Sequence, residues 1–302
     1  MTRLLTLLAL LLMPGLAQAQ AAYPAFYPEG PVWIDGTLYW AEMGGDRVMS
    51  WTAEADEPQI AWKGEGCGPT ALARYQNDKF VVLCHLQGAL AVMDAGFNRI
   101  RTIDAATDGT RLRNPNDISA DGKGGIWFTD PGPFSKAAGA VGAVYHLDAS
   151  GSLVRHVDGL FYDNGIFVDQ TTNRLLVSEH LARRILSYPL TPSGLGTAEV
   201  IVELDKLGLP APRYDHSGPD GLEIGPGGVL WFAEYGTARL LGWDMTKGLV
   251  AATNTDAQFI TNIAFGPDGL AAVTAPKNNT NPPFPGVVWI FNQDTLRALI
   301  TE

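Results

Sequence analysis

DGLEIGPGGVLWFAEYG, residues 220–236, reads as a short apolar strand, a turn built from Gly and Pro, and a second strand rich in aromatic residues. The same unit occurs as EGPVWIDGTLYWAEM (29–43), GPTALARYQNDKFVVLCH (68–85), NDISADGKGGIWFTDPG (116–132), NGIFVDQTTNRLLVSEH (164–180) and NIAFGPDGLAAVTAP (262–276). The second strands begin near residues 37, 79, 125, 174, 229 and 270, a spacing of roughly forty to fifty-five that suits four-stranded propeller blades. Further candidate strands follow the units, as in DRVMSW (46–51), GALAVMD (88–94), GAVYHLD (142–148) and RRILSYPL (183–190). They alternate apolar and polar residues as half-buried strands do. The repeat therefore predicts an all-β, six-bladed β-propeller over residues 20–302. A pair of stacked sandwiches would not explain one motif recurring in the same order. The best internal helical stretch, Ala251 to Gln258, is short and rich in Thr and Asn. GVVWIFN (286–292) or the first strand after the leader is expected to close the ring, because a propeller must not leave open edges.

The N-terminus carries Arg3, an apolar run from Leu4 to Leu12 and a small-residue end, Ala17-Gln18-Ala19. This is the pattern of a secretory signal over residues 1–19, cleaved after Ala19, and it predicts an exported, periplasmic or secreted protein. The apolar run is too short to span a bilayer, and no later segment approaches that length, so no membrane partner is expected. A net charge of -11 argues against nucleic acid, because phosphate binding needs a basic face. It favours cations and small neutral or weakly charged molecules. Cys67 and Cys84 flank a hairpin, Thr70 to Arg74 and Lys79 to His85, that brings them near opposition. An oxidising compartment permits a disulfide, and a pair of buried free thiols is the alternative.

Aligning the units selects the residue that begins each innermost strand: Glu29, Thr70, Asn116, Asn164, Asp220 and Asn262. All are polar, and innermost strands line a propeller's channel. Turn-capping Asn and Asp would explain any one of them. Glu29 and Asp220 with Asn116 and Asn164 together supply hard oxygen donors without thiolate or imidazole, the ligand set of calcium or, less often, magnesium or manganese. Without a cation, two carboxylates facing across a narrow channel repel, and one pKa rises. The second strands return to the same rim, at Glu42, His85, Asp130, His180 and Glu234 with Tyr235, and these ends are expected to surround the ligand set. His85 and His180 are candidates for substrate contact, and Tyr214, Asp215 and His216 for part of the rim wall.

EGPVW, NPNDISADGKGGIWFTDPG, NGIFVD and PDGLEIGPGGVLWFAEYG resemble, in order and across nearly the whole mature chain, the signature segments of the regucalcin (senescence marker protein 30), gluconolactonase and luciferin-regenerating enzyme family. The resemblance implies a six-bladed propeller holding one divalent cation, usually calcium, with magnesium, manganese or zinc as alternatives, and hydrolysis of sugar lactones or related esters. It places Glu29, Asn164 and Asp220 on the family's metal ligands, with Asp220 also its catalytic residue, and Asn116 on a residue contacting metal or substrate. Animal members carry an Arg where this chain has Asn114, next to Arg113. Asn114 is accordingly the expected substrate-binding residue, and the NPND form resembles the bacterial and fungal gluconolactonase branch.

These residues predict a metal-dependent lactonase in which the cation polarises the ester carbonyl, Asp220 directs the attacking water and Asn116 orients the carbonyl end. No GxSxG elbow or HExxH motif is present. The rival readings are a phosphotriesterase or other esterase on the same rim, and a non-catalytic propeller that binds a ligand there.

Overall fold

The structure, a computed structural model, describes residues 19–300. Apart from Ala19, the expected leader lies outside the described residues. The strands form six separate sheets, five of four strands and one of five, arranged as the blades of a six-bladed β-propeller. Five blades follow chain order over residues 28–63, 69–103, 118–160, 163–203 and 218–254. The sixth pairs strands from residues 262–292 with the N-terminal strand Ala21–Phe26, which lies antiparallel to Pro285–Asn292. Both segments expected to close the ring thus do so within one sheet, which removes the open edge. Ala251–Gln258 is not a helix: its first half belongs to the strand Gly248–Asn254. The α-helix among the described residues is Gln293–Arg297, and none there is long and apolar enough to cross a membrane.

Apolar alternation along the strands produces six hydrophobic clusters, one between each pair of neighbouring blades. Trp231 and Leu240 of the fifth blade pack with Val273 and Trp289 of the sixth. Leu38 and Trp40 of the first meet Ala272 and Ile290 of the sixth, so the seam that closes the ring is as apolar as the others. Packing sheet face on sheet face excludes water from both surfaces, at roughly 25 cal/mol per Å² of apolar area.

Three blades also carry a buried charge clasp at the hairpin of their second and third strands. Glu42 lies opposite Arg47, Glu179 opposite Arg184 and Glu234 opposite Arg239, each directly paired across the strands. The ion pairs measure 2.7, 2.5 and 2.6 Å. Each acid is almost fully buried, and such carboxylates are tolerated inside because the cross-strand arginine holds them. Cys67 and Cys84 form a disulfide inside the apolar cluster between the first two blades.

Candidate active site

The innermost strands approach one another closely at one mouth of the ring. In four of them the antiparallel register shifts near the strand's start: between Glu29 and Val32, Pro69 and Ala71, Asp163 and Ile166, and Pro219 and Leu222. A β-bulge inserts an unpaired residue and re-aims its side chain. The bulges of the second, fourth and fifth blades hold Thr70, Asn164 and Asp220, and that of the first blade, at Gly30 and Pro31, directly follows Glu29, which itself pairs with Ala41.

Glu29, Asn164 and Asp220 are each followed by glycine, for a steric reason. A Cβ on Gly30 would lie 2.4 Å from the Thr70 carbonyl oxygen, one on Gly165 2.1 Å from the Asp220 carbonyl oxygen, and one on Gly221 1.9 Å from the Asn262 side chain. Each glycine lets the next inner strand approach, and this narrows the ring around the donors. Asn116 is placed differently, by hydrogen bonds between the Asn116–Asp117 segment and Thr129: the Asn116 N–H donates to the Thr129 carbonyl at 2.9 Å, and the Thr129 N–H to that of Asp117 at 3.0 Å. Thr129 Oγ1 also donates to the Asn164 carbonyl at 2.6 Å, coupling the two amide-bearing segments.

Glu29, Thr70, His85, Asn116, Asn164, His180 and Asp220 all line one cavity of about 180 Å³. Asn114 does not line it: its Nδ2 donates to the His85 carbonyl at 3.2 Å, so the expected substrate-binding position instead braces the His85 segment. Asn262 also departs from the expected ring. Its strand pairs in regular register, with no bulge to re-aim it, and its side chain lines the cavity of about 620 Å³ at the opposite mouth.

Of the second-strand ends, His85, His180 and Tyr235 reach the cavity, and Glu42, Asp130 and Glu234 do not. Glu42 and Glu234 are held in the arginine clasps, and Asp130 accepts the N–H groups of Arg113 and Asn114. The rest of the wall is aromatic or apolar: Tyr27, Tyr162, Phe134 and Met43. Sequence reasoning missed these, though one signal was present. Tyr27 and Tyr162 each stand two residues before one of the candidate donors, in YPEG and YDNG, and both take the left-handed conformation, φ 49° and 57°. Tyr214 and His216 form the outer rim, where Tyr214 packs on Tyr235 and His216 on Phe134, and Asp215 pairs with Lys136 at 2.8 Å.

Electrostatically the floor is a concentration of acid. Burial, then the charge of Asp220 and that of Asp117, pushes the Glu29 carboxyl well above its ordinary range. Burial, then Asp117, does the same to Asp220. No ion pair joins either carboxyl among the described residues. Asp117 lies beneath them, pushed up to about 6 by burial, with Ile166 N–H, Ile118 N–H and the Asn262 amide opposing the shift. His85 and His180 are driven down to about 4 by burial and are neutral near pH 7. The Tyr27 and Tyr162 hydroxyls are pushed well above their usual range, burial again leading, and stay protonated.

Among the described residues no three His, Cys, Asp or Glu side chains gather closely enough to hold a metal by themselves. The donor set here is two acids and two amides. Two buried carboxyls that repel, with amide oxygens beside them and no cationic side chain facing them, suit one hard divalent cation.

A six-bladed propeller with two acids and two amides gathered at one mouth by bulged inner strands defines the class. The chain belongs to the SMP-30/gluconolactonase/LRE-like family, whose region matches residues 27–274. It is 29% identical to an L-arabinolactonase of Azospirillum brasilense over 70% of this chain and 68% of that protein. It is 23% identical to a gluconolactonase of Zymomonas mobilis over 84% of this chain and 77% of that protein. Its fold matches that of a calcium-binding protein, regucalcin, from Agrobacterium tumefaciens, with a TM-score of 0.72 at 19% identity, covering 89% of this chain and 90% of the other.

Proposed function

We propose that this protein is an exported lactonase that opens small lactones by water attack at the 180 Å³ cavity, with one divalent cation, calcium first, held by Glu29, Asn116, Asn164 and Asp220. The observation that carries the reading is the pair of buried, mutually repelling carboxyls Glu29 and Asp220 at the floor of that cavity, in a chain whose relatives include named lactonases. The leader over residues 1–19 and the Cys67–Cys84 bond support export, since disulfides persist in oxidising compartments.

When bound, such a cation supplies Lewis-acid polarisation of the ester carbonyl. A carboxyl beside a divalent charge is ionised at neutral pH, so Asp220 is the group able to take a proton from the attacking water. The water oxygen bonds to the carbonyl carbon, the ring C–O bond breaks, and the proton passes to the departing ring oxygen. The Asn116 amide orients the carbonyl end. His85 and His180, neutral and bonded to backbone carbonyls, shape the wall. Tyr27 and Tyr162 hold uncharged hydroxyls above the acids and limit water around them.

The test is a pH-indicator screen of aldonolactones, simple lactones and a phosphotriester, with metal analysis of the purified mature protein. Lactone hydrolysis that chelator abolishes and calcium restores supports the reading. Full activity in excess chelator, after dialysis shown to remove metal, sinks the cation's role, and preference for the phosphotriester sinks the substrate class.

A further inference from the structure

The wall above the acids offers a substrate few polar partners. Beyond the four proposed ligands most of its polar side chains are engaged with the protein; the Tyr162 hydroxyl has Asn116 beside it, and His180 Nδ1 is without a partner among the described residues. The Tyr27 and Tyr235 hydroxyls bond to each other at 2.9 Å, and Asn279 Nδ2 donates to Tyr235 at 3.1 Å. Thr70 Oγ1 donates to the Pro115 carbonyl, and His85 Nδ1 lies against the same carbonyl at 3.3 Å. His180 Nε2 meets the His216 carbonyl at 2.9 Å. Among the described residues no Lys or Arg lines the cavity, and the nearby Asn114 amide is turned away, donating to the His85 carbonyl.

The remaining surface is an interlocked aromatic wall. Phe134 packs on Tyr162 at 4.7 Å and meets His180 and Tyr235 edge to face. Tyr27 meets Phe284 edge to face. These rings lean on one another instead of presenting one open stacking platform. Phe134 itself is 38% exposed on the loop between two strands of the third blade, and that loop is clasped to the 204–217 segment by Lys136 and Asp215.

We infer that the site takes a lactone or ester bearing an apolar alkyl or aryl substituent, packed against Phe134, Tyr162 and Tyr235, in preference to a polyhydroxylated sugar lactone. This rests on the proposed ester hydrolysis and names its substrate class. The physical ground is that a sugar lactone's ring hydroxyls need partners. A hydrophobic pocket discriminates against one added hydroxyl by about a hundredfold, and a site that leaves several unpaired discriminates more.

The experiment measures kcat/KM for D-glucono-δ-lactone, unsubstituted δ-valerolactone, a 6-propyl δ-lactone and a benzo-fused δ-lactone on the calcium-loaded protein. In parallel, calorimetry measures binding of two non-hydrolysable lactams, one polyhydroxylated and one 6-propyl. The propyl and benzo-fused lactones are expected to exceed gluconolactone at least tenfold in kcat/KM, and the propyl lactam to bind at least tenfold tighter. Phe134→Ser, on an exposed loop, is expected to lower kcat/KM for the substituted lactones about fivefold or more, mainly through KM, and for δ-valerolactone by a clearly smaller factor. Gluconolactone hydrolysed as well as the propyl lactone, or a propyl lactam that binds no better than its hydroxylated counterpart, overturns the inference. Failure to hydrolyse any lactone overturns the proposed activity instead, and the lactam binding then still decides the preference.

Discussion

A Cβ placed on Gly165 would stand 2.1 Å from the carbonyl oxygen of Asp220, on the neighbouring inner strand. The residue after one proposed ligand is therefore glycine because the backbone of another passes beside it. Gly165→Ala must push the inner strands of the fourth and fifth blades apart, and overpacking of this kind costs about 1–3 kcal/mol. The variant is expected to stay folded with a melting point lowered by several degrees, and to bind calcium at least tenfold more weakly. Titration calorimetry beside a thermal melt checks this. Wild-type affinity in a folded Gly165→Ala protein would show that the narrowing does not set the donor geometry.

Glu29 and Asp220 are expected to fail differently. Glu29→Gln keeps one oxygen donor but removes a charge, so cation affinity falls and excess calcium partly restores the rate. Asp220→Asn removes the same charge and the proposed base, so calcium restores binding without turnover. Metal stoichiometry and steady-state rates on both variants make the comparison. Full rescue of Asp220→Asn would reduce Asp220 to a ligand. The base would then have to be His85 or His180, because Asp130 and Glu234 are bound up away from the cavity.

How far this site was legible follows from how each residue is held. Glu29, Asn164 and Asp220 stand out in the sequence because each opens a repeat and precedes a glycine, and both features belong to the repeating unit itself. Glu42 and Glu234 are misleading because they return to the right rim yet face cross-strand arginines five residues on, a pairing that the spacing Glu42–Arg47 and Glu234–Arg239 does carry. Asn262 occupies the right position in its unit but lacks a bulge, and a register shift is a property of the paired strand that one strand's sequence does not reveal. Phe134 sits on a loop with no periodicity, and its place over the cavity comes from tertiary contacts with Tyr162 and His180. The repeat thus defined the blades, most of the floor and the His85, His180 and Tyr235 part of the wall, whereas Phe134 and Met43 took their places only on folding.

Cys67 and Cys84 close a loop with a sequence separation of 17. Chain-entropy arguments put such a crosslink at about 3 kcal/mol. The double serine variant, or protein refolded under reducing conditions, is expected to lose about that much in urea unfolding while retaining its far-ultraviolet β signature. A thiol assay on unfolded, non-reduced protein should find no free thiol. Two free thiols there would rule the bond out.

His180 is almost completely buried, and its Nδ1 has no hydrogen-bond partner among the described residues. Burial takes its pKa from 6.5 to about 4, so the folded protein keeps it neutral where the unfolded chain takes up a proton. Its contribution to stability is present above pH 6.5 and is lost as pH falls towards 4, with an upper bound of about 3 kcal/mol. Urea unfolding at a series of pH values should show a steeper loss for the wild type than for His180→Gln across that window. Parallel curves would mean that the imidazole is already solvated or protonated in the folded state.

Asp117 ties three blades together beneath the proposed ligands. One carboxylate oxygen accepts the Ile166 N–H at 3.1 Å and the Asn262 Nδ2 at 3.3 Å, and the other accepts the Ile118 N–H at 2.9 Å. The same charge raises the pKa of Glu29 and Asp220, so it also attracts a cation above it. Two variants separate these roles. Asp117→Asn keeps a carbonyl acceptor but removes the charge. Its stability should fall by about 1 kcal/mol, and its calcium affinity at pH 8, where the wild-type carboxylate is ionised, by about tenfold, as one charge acting across partly screened protein would give. Asp117→Ala removes the tie as well, leaves the Ile166 N–H buried without a partner, and should cost about 2–3 kcal/mol more. Calcium titration and urea unfolding on both variants supply the readouts. If Asp117→Asn bound calcium as tightly as the wild type while Asp117→Ala bound it weakly, Asp117 would serve the site through the three-blade tie alone, and its charge would have no part in holding the cation.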